Sequence, residues 1–437
     1  MYSNKERLIL EYLSFREAGI PLRHLFELSA ERRWDKYLTS LDSAGMVFHF
    51  IAKLRQRGDF EALPLLVQSR LRKNLRDQTE RHACITSEFR EFNQILQARG
   101  IQYIWLKGLT AFPDFVDDPV GRLQSDHDFL VHHKDLRRAY ELFLGMGLEP
   151  KEAVSAPHAD HLPALIRKSG WKWKGNLYDP EIPRAVEIHF RLCDAQQRGR
   201  TIRSLAETWQ NSVRVDVGGV SVPVLSREDA LTYAILHAFR HLLRSDFRLA
   251  HLYELAFFLH HSRQDETFWC AYSEKLRNCP FTHKVAATMF CLACHCFGPN
   301  TSPHASALAA QNLSPAVQLW IRSYGRKEAL SSYRQSKSIL FLQLDFLENR
   351  SDIVSTIVRQ LLPCHLPSRT VVLSQIPEGQ KMRFRRVREV CHFARRVNNR
   401  ALFHAASLIA FLWRYPLWKL RLIRCQNQSR PQPSGLS

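Results

Sequence analysis

The stretch Arg122-Leu-Gln-Ser-Asp-His-Asp-Phe-Leu-Val131, RLQSDHDFLV, sets two aspartates, Asp126 and Asp128, one residue apart at the mouth of an apolar run. Alternate residues of a strand share a face, so both carboxylates project together with their Cα atoms about 7 Å apart, near enough to share a cation. Left unpaired, they repel each other. Taken alone, a D-x-D also fits an ordinary solvated strand entrance. His127, between the two acids, points its ring towards the opposite, core side.

On the N-terminal side, IQYIWLK after Arg99-Gly100 is rich in β-branched and aromatic residues and predicts another strand. It ends in Lys107-Gly108, and the following Leu109-Thr110-Ala111 predicts a turn into a helix N-terminus, where free amides and an ammonium can hold anionic oxygen. On the C-terminal side, KDLRRAYELFLGMG predicts a helix closed by glycine. RAVEIHF, from Arg184 to Phe190, is a further strand, and VRVDVGGVSVPVL reads as a hairpin turning at Gly218-Gly219. In RAVEIHF, Val186 and Ile188 would face a core while Glu187 and His189 share the other face. Glu187 is therefore the candidate third acid if this strand neighbours the aspartates, the plain alternative being a solvent-facing glutamate.

Helical spacing flanks this α/β stretch. Apolar residues recur every three or four positions from Lys5 to about Gln97, punctuated at Gly19-Ile-Pro21 and Gly58. From Ser226, an N-cap with Asp229 three residues on, helices run to about Leu362. A proline-punctuated connector then extends to Gly379. The expected fold is α+β: a small mixed β-sheet core at 99–225, a helical region at 1–98, a helical domain at 226–362, and a connector with a basic amphipathic segment at 363–437.

Composition bounds the partners. With 437 residues, 45% of them apolar, the chain can bury substantial cores, and a formal charge of +20 points to an anionic partner. Ten scattered cysteines and an N-terminus without a secretory pattern lead to the expectation of a cytoplasmic protein. From Lys381 onward thirteen Lys or Arg face the single acid Glu389. The run ALFHAASLIAFLWRYPLWKL is too short and too charged to span a bilayer. It fits a helix packed on the body, an in-plane helix that makes the protein peripheral to an anionic membrane surface, or an RNA-facing arm.

Three other patterns compete. His237 and His241 stand four apart like zinc ligands but lack the glutamate of H-E-x-x-H, which favours a packed pair. Cys291-Leu-Ala-Cys294-His295 resembles a haem attachment but reads better as packed helix cysteines. Trp171-Lys-Trp-Lys174 fits either a base-stacking platform or an amphipathic strand.

Taken in order, Trp105-Leu-Lys-Gly108, Arg122 with Ser125-Asp-His-Asp-Phe-Leu-Val131, Asp135-Leu136 opening a helix that ends Gly145-Met-Gly147, Val186-Glu-Ile-His189 and Leu236-His-Ala-Phe-Arg-His241 resemble the uncharacterised nucleotidyltransferase family 5 of the polymerase β-like superfamily. The resemblance spans roughly residues 95 to 260. It implies transfer of a nucleoside monophosphate from an NTP to an acceptor hydroxyl on a small molecule, a protein or an RNA. It also implies two Mg²⁺ ions, with Mn²⁺ as a substitute, bound by Asp126, Asp128 and Glu187. Lys107 and Gly108 fall near the superfamily's Gly-Ser phosphate loop, and Arg122 and Ser125 complete the implied substrate-binding set. The spacer from Gly108 to Asp126 is longer than the superfamily's, and His127 stands where an aliphatic residue is usual. A catalytically inactive nucleotide- or anion-binding module and a basic RNA-binding scaffold are the alternatives.

Overall fold

A computed structural model describes residues 8, 10–16, 21, 31–151, 160–192, 205–244, 246–311, 313–330, 337–361 and 382–428. The expected connector at 362–379, the punctuation at Gly19-Ile20 and the end of the polar tail lie outside the described residues. The chain divides into two compact units, residues 1–312 with 325–333, and residues 313–324 with 334–437.

The first unit is built on a seven-stranded mixed sheet: β1 Tyr103–Trp105, β2 Asp126–Val131, β3 Leu148–Pro150, β4 Leu165–Arg167, β5 Ala185–His189, β6 Val213–Val217 and β7 Val220–Val224, in the order β3-β4-β5-β2-β1-β7-β6. β2 runs parallel to β5 and antiparallel to β1. With helices before and after the sheet, the fold is α+β as the sequence patterns predict. β6 and β7 form the expected hairpin, whose turn needs two left-handed residues and has them in Gly218 (φ 59°) and Gly219 (φ 81°).

One face of the sheet is sealed by helices. Trp105, Phe129, Val186 and Ile188 pack with Phe89, Phe92 and Leu96 of the Leu65–Ala98 helix and Phe143 of the Leu136–Gly145 helix. Asn93, fully buried in that layer, accepts hydrogen bonds from Tyr103 OH (2.7 Å) and Trp105 Nε1 (2.8 Å), so neither aromatic donor is left unpaired. The other face packs Ile104, Leu106 and Leu130 with Leu192, Leu225 and Tyr233. Tyr233 comes from the Arg227–Arg244 helix, whose start is capped as expected: Ser226 Oγ accepts the Asp229 N–H at 3.3 Å.

Two local expectations differ from the structure. After Lys107 no α-helix forms; Gly108–Ala111 is a single 3-10 turn, and another follows at Pro119–Gly121. Pro113 and Pro119 lack the N–H groups a continuing helix would need. Residues 171–174 are not a strand either. Trp171 Nε1 donates to Asp179 (3.0 Å) and Lys174 pairs with the same carboxylate (3.3 Å), so the alternating residues fasten a loop.

The second unit contains the helices Pro315–Trp320, Ile339–Asp345, Arg350–Leu361 and Met382–Gln428. Trp320 Nε1 donates to the Ser338 carbonyl at 2.9 Å, and Phe341 stacks on Phe411 and Trp418 with ring centroids 5.1 and 4.7 Å away. The basic segment is thus packed along one of its faces within its own unit. Among the described residues no helix is long and apolar enough to cross a membrane.

Candidate active site

The parallel register of β2 and β5 sets Asp128 opposite Glu187 and Asp126 opposite Ala185. Val186 and Ile188 fill the helix-covered core, so alternation turns Glu187 and His189 to the other face, together with Asp126 and Asp128. His189 Nε2 lies 3.2 Å from Asp128 Oδ1 and 3.7 Å from Glu187 Oε2. Asp128, Glu187 and His189 each offer one ligand atom within 4.8 Å of the others. Lys107, just past the end of β1, brings Nζ to 3.4 Å from Asp126 Oδ2 and 3.2 Å from Asp128 Oδ2. Asp128 Oδ2 is buried without a hydrogen bond, so its contact with Lys107 is an attraction of charges rather than an aligned bond. The cluster is graded in depth: the Asp128 side chain is 1% exposed and that of Asp126 is 25% exposed.

The charges hold one another in place. Burial disfavours protonated His189, but Asp128 and Glu187 outweigh it and push the imidazole up to about 9. Burial also disfavours ionised Glu187, yet the neighbouring His189 and the Lys107 charge pull its carboxyl down to about 2. For Lys107, Asp126 and Asp128 overcome burial and raise the ammonium above the usual lysine range. Behind this group Asp160 pairs with Arg240, and the His161 ring stands 5.1 Å from that of His189. Burial would raise the Asp160 carboxyl, but Arg240 and His189 hold it below the usual range.

The donor set suits a divalent cation. Carboxylates are hard ligands for Mg²⁺ or Mn²⁺, an imidazole nitrogen adds a ligand acceptable to Mn²⁺, and Asp128 Oδ2 is a buried oxygen without a hydrogen-bond partner.

His127 does point to the core side, where its Nε2 has a partner while its Nδ1 is buried without one. Its ring is fully buried, edge-on to Phe92, with Nε2 2.9 Å from Glu88 Oε2. Glu88 also receives Arg184 at 2.6 and 2.7 Å. Burial alone would raise the Glu88 carboxyl, but Arg184 and His127 hold it at about 2.

The implied substrate-binding residues scatter more. Lys107 and Arg122 line a cavity of about 340 Å³, with Thr110, Phe115, Tyr233 and His237 among its walls. Within it Arg122 is already paired with Glu254 at 3.0 Å. Gly108 (φ 86°) lies under the Gln124 side chain, which a Cβ would approach to 2.7 Å. Ser125 is exposed, and its carbonyl accepts the Ala185 N–H at 3.3 Å. His237 and His241 are bonded to each other, Nε2 to Nε2 at 3.1 Å, with His241 Nδ1 2.9 Å from Asp246. They behave as the packed pair the sequence favoured.

Sequence reasoning missed His189 and the Asp160–Arg240 pair as parts of this centre, and Glu88 as the partner of His127 on the reverse of the sheet. His189 was within reach, since it alternates with Glu187. Glu88 and Asp160 carry no local signal, because they arrive from a helix and a loop distant in sequence.

No curated protein and no solved structure matches the chain. Residues 30–298, more than half of the chain, match the family described as uncharacterised nucleotidyltransferase. That span takes in the whole seven-stranded sheet and every residue of the acid cluster. The chain therefore belongs to the uncharacterised nucleotidyltransferase family.

Proposed function

We propose that this chain transfers a nucleoside monophosphate from an NTP to an acceptor hydroxyl, at a divalent-cation centre formed by Asp126, Asp128 and Glu187. The observation that carries the reading is the β2–β5 register, which sets Asp128 against Glu187 on the face away from the helix-covered core. Bound there, Mg²⁺ or Mn²⁺ would supply charge neutralisation for the triphosphate and acidify the acceptor hydroxyl. The hydroxyl oxygen forms a bond to the α-phosphorus, the bond from that phosphorus to the bridging oxygen breaks, and pyrophosphate leaves. The hydroxyl proton passes to a carboxylate of the cluster. Lys107 stands between the acids and the cavity, where its ammonium can meet phosphate oxygen. Arg122 holds the cavity wall through Glu254.

A second reading, an inactive nucleotide- or anion-binding module, is favoured by one observation. Lys107 and His189 already neutralise part of the acid cluster without any added ion. Incubating the protein with each NTP, Mg²⁺ and cell extract separates the two by pyrophosphate release. Activity that Asp126→Ala abolishes, in a variant that still unfolds like the native protein, supports the transferase. NTP binding without pyrophosphate release in any extract supports the module, and release that persists in Asp126→Ala refutes the assigned centre.

A further inference from the structure

The Met382–Gln428 helix is apolar on two opposite sides. His404, Phe411 and Trp418, spaced by seven, face its own unit: Phe411 and Trp418 are buried against Phe341, and His404 Nδ1 lies 3.3 Å from Lys337 Nζ. At about 100° per residue, the opposite side carries Leu402, Ile409, Trp413, Leu417, Leu420 and Ile423, all exposed, Trp413 at 78%. A soluble helix normally puts polar residues there. The edges of this stripe are cationic: Arg414 and Arg421 flank one side and Lys419 the other, all exposed. Residues 390–428 contain no Asp or Glu. An apolar stripe with a tryptophan, cationic edges and no acid matches a helix lying in the headgroup layer, the apolar side chains reaching the acyl boundary and the long cations meeting lipid phosphates.

We propose that this exposed stripe docks the protein on an anionic membrane surface, with the helix in the plane of the bilayer. The occupant is a lipid surface because the stripe's charge complements anionic headgroups and the helix is too short in apolar length to cross. This inference is independent of the chemistry at β2 and β5.

The test is flotation of the full-length protein with vesicles of phosphatidylcholine alone and of phosphatidylcholine mixed with phosphatidylglycerol. The expected result is flotation with the anionic vesicles, weakened by salt and much weaker with neutral ones. The double variant Trp413→Glu, Leu420→Glu should lose binding by about tenfold or more, and Arg414→Gln with Arg421→Gln by about threefold to tenfold. All four positions are exposed, so unchanged helical circular dichroism is expected of both variants. Each of these results would overturn the proposal: no flotation of the native protein, equal flotation of the native protein and the glutamate variant, or a native dimer in light scattering that the glutamate variant converts to monomer. The last would assign the stripe to a second copy of the chain. Salt-sensitive RNA binding without vesicle binding also overturns it, assigning the cations to nucleic acid.

Discussion

Raising the pH of the protein in EDTA from about 6 to about 10 should strip away stabilisation according to how tightly His189 holds its proton. His189 is 2% exposed, hydrogen-bonded to Asp128 and 3.7 Å from Glu187, and the two carboxylates lift its imidazole from the ordinary 6.5 to about 9. A group raised on folding contributes stability that is fully present below its unfolded value, here pH 6.5, and is lost as pH rises through its folded value, here about 9. At about 1.4 kcal/mol per pH unit, that interval amounts to about 3 kcal/mol. His189→Gln keeps a donor towards Asp128 but cannot titrate. Urea unfolding followed by tryptophan fluorescence, for both proteins across this range, gives the difference in stability at each pH, and groups common to both cancel. The native protein's advantage should shrink by about 3 kcal/mol, most of it between pH 6.5 and 9. Parallel stability curves for the two proteins would mean that His189 is not held between the acids as a cation.

Two further substitutions probe the frame around the site. Glu88→Gln removes the charge that satisfies buried Arg184 (7% exposed) and the His127 ring, and should cost about 3 kcal/mol in urea unfolding, the low end for a broken buried pair because Glu88 is itself 22% exposed. A loss under about 1 kcal/mol would reduce this pair to the rank of a surface contact. Gly108→Ala forces a side chain into the left-handed region against Gln124, so a loss of about 1–2 kcal/mol is expected, of which Gln124→Ala in the same chain should restore the steric share. No restoration would place the whole cost in the backbone.

The sheet was legible where one face is apolar and the other polar. AVEIH alternates apolar with polar, whereas DHDFLV is an apolar run behind two acids; the two-residue strand period put Asp126 and Asp128 on one face and His127 on the other, and the β2–β5 pairing brought Glu187 to the aspartates. The hairpin at Gly218-Gly219 was legible because two adjacent glycines readily take the positive φ that a tight two-residue turn between strands needs. The helix expected after Gly108 was not, since its ending depends on Pro113 and Pro119 rather than on the residues that would begin it. The pairing of Lys107 with the acids was also beyond the local text, since only the approach of β2 sets both aspartates against its ammonium. The second apolar side of the Met382–Gln428 helix shows the same limit. The sequence records that both sides are apolar, but only packing on Phe341 decides which one is left outside.

The bond between His127 and Glu88 has a consequence for the acids on either side of it. An aliphatic residue at 127 would hold β2 to the helix layer by fit alone, whereas an imidazole bonded to a carboxylate adds a directional tether on the reverse of the sheet. Rotating the strand about its own axis would break that tether before it could swing Asp126 and Asp128 away from Glu187. The histidine acts as a backstop: it fixes the angle at which two like charges are presented, and does so from the helix-covered side of the sheet.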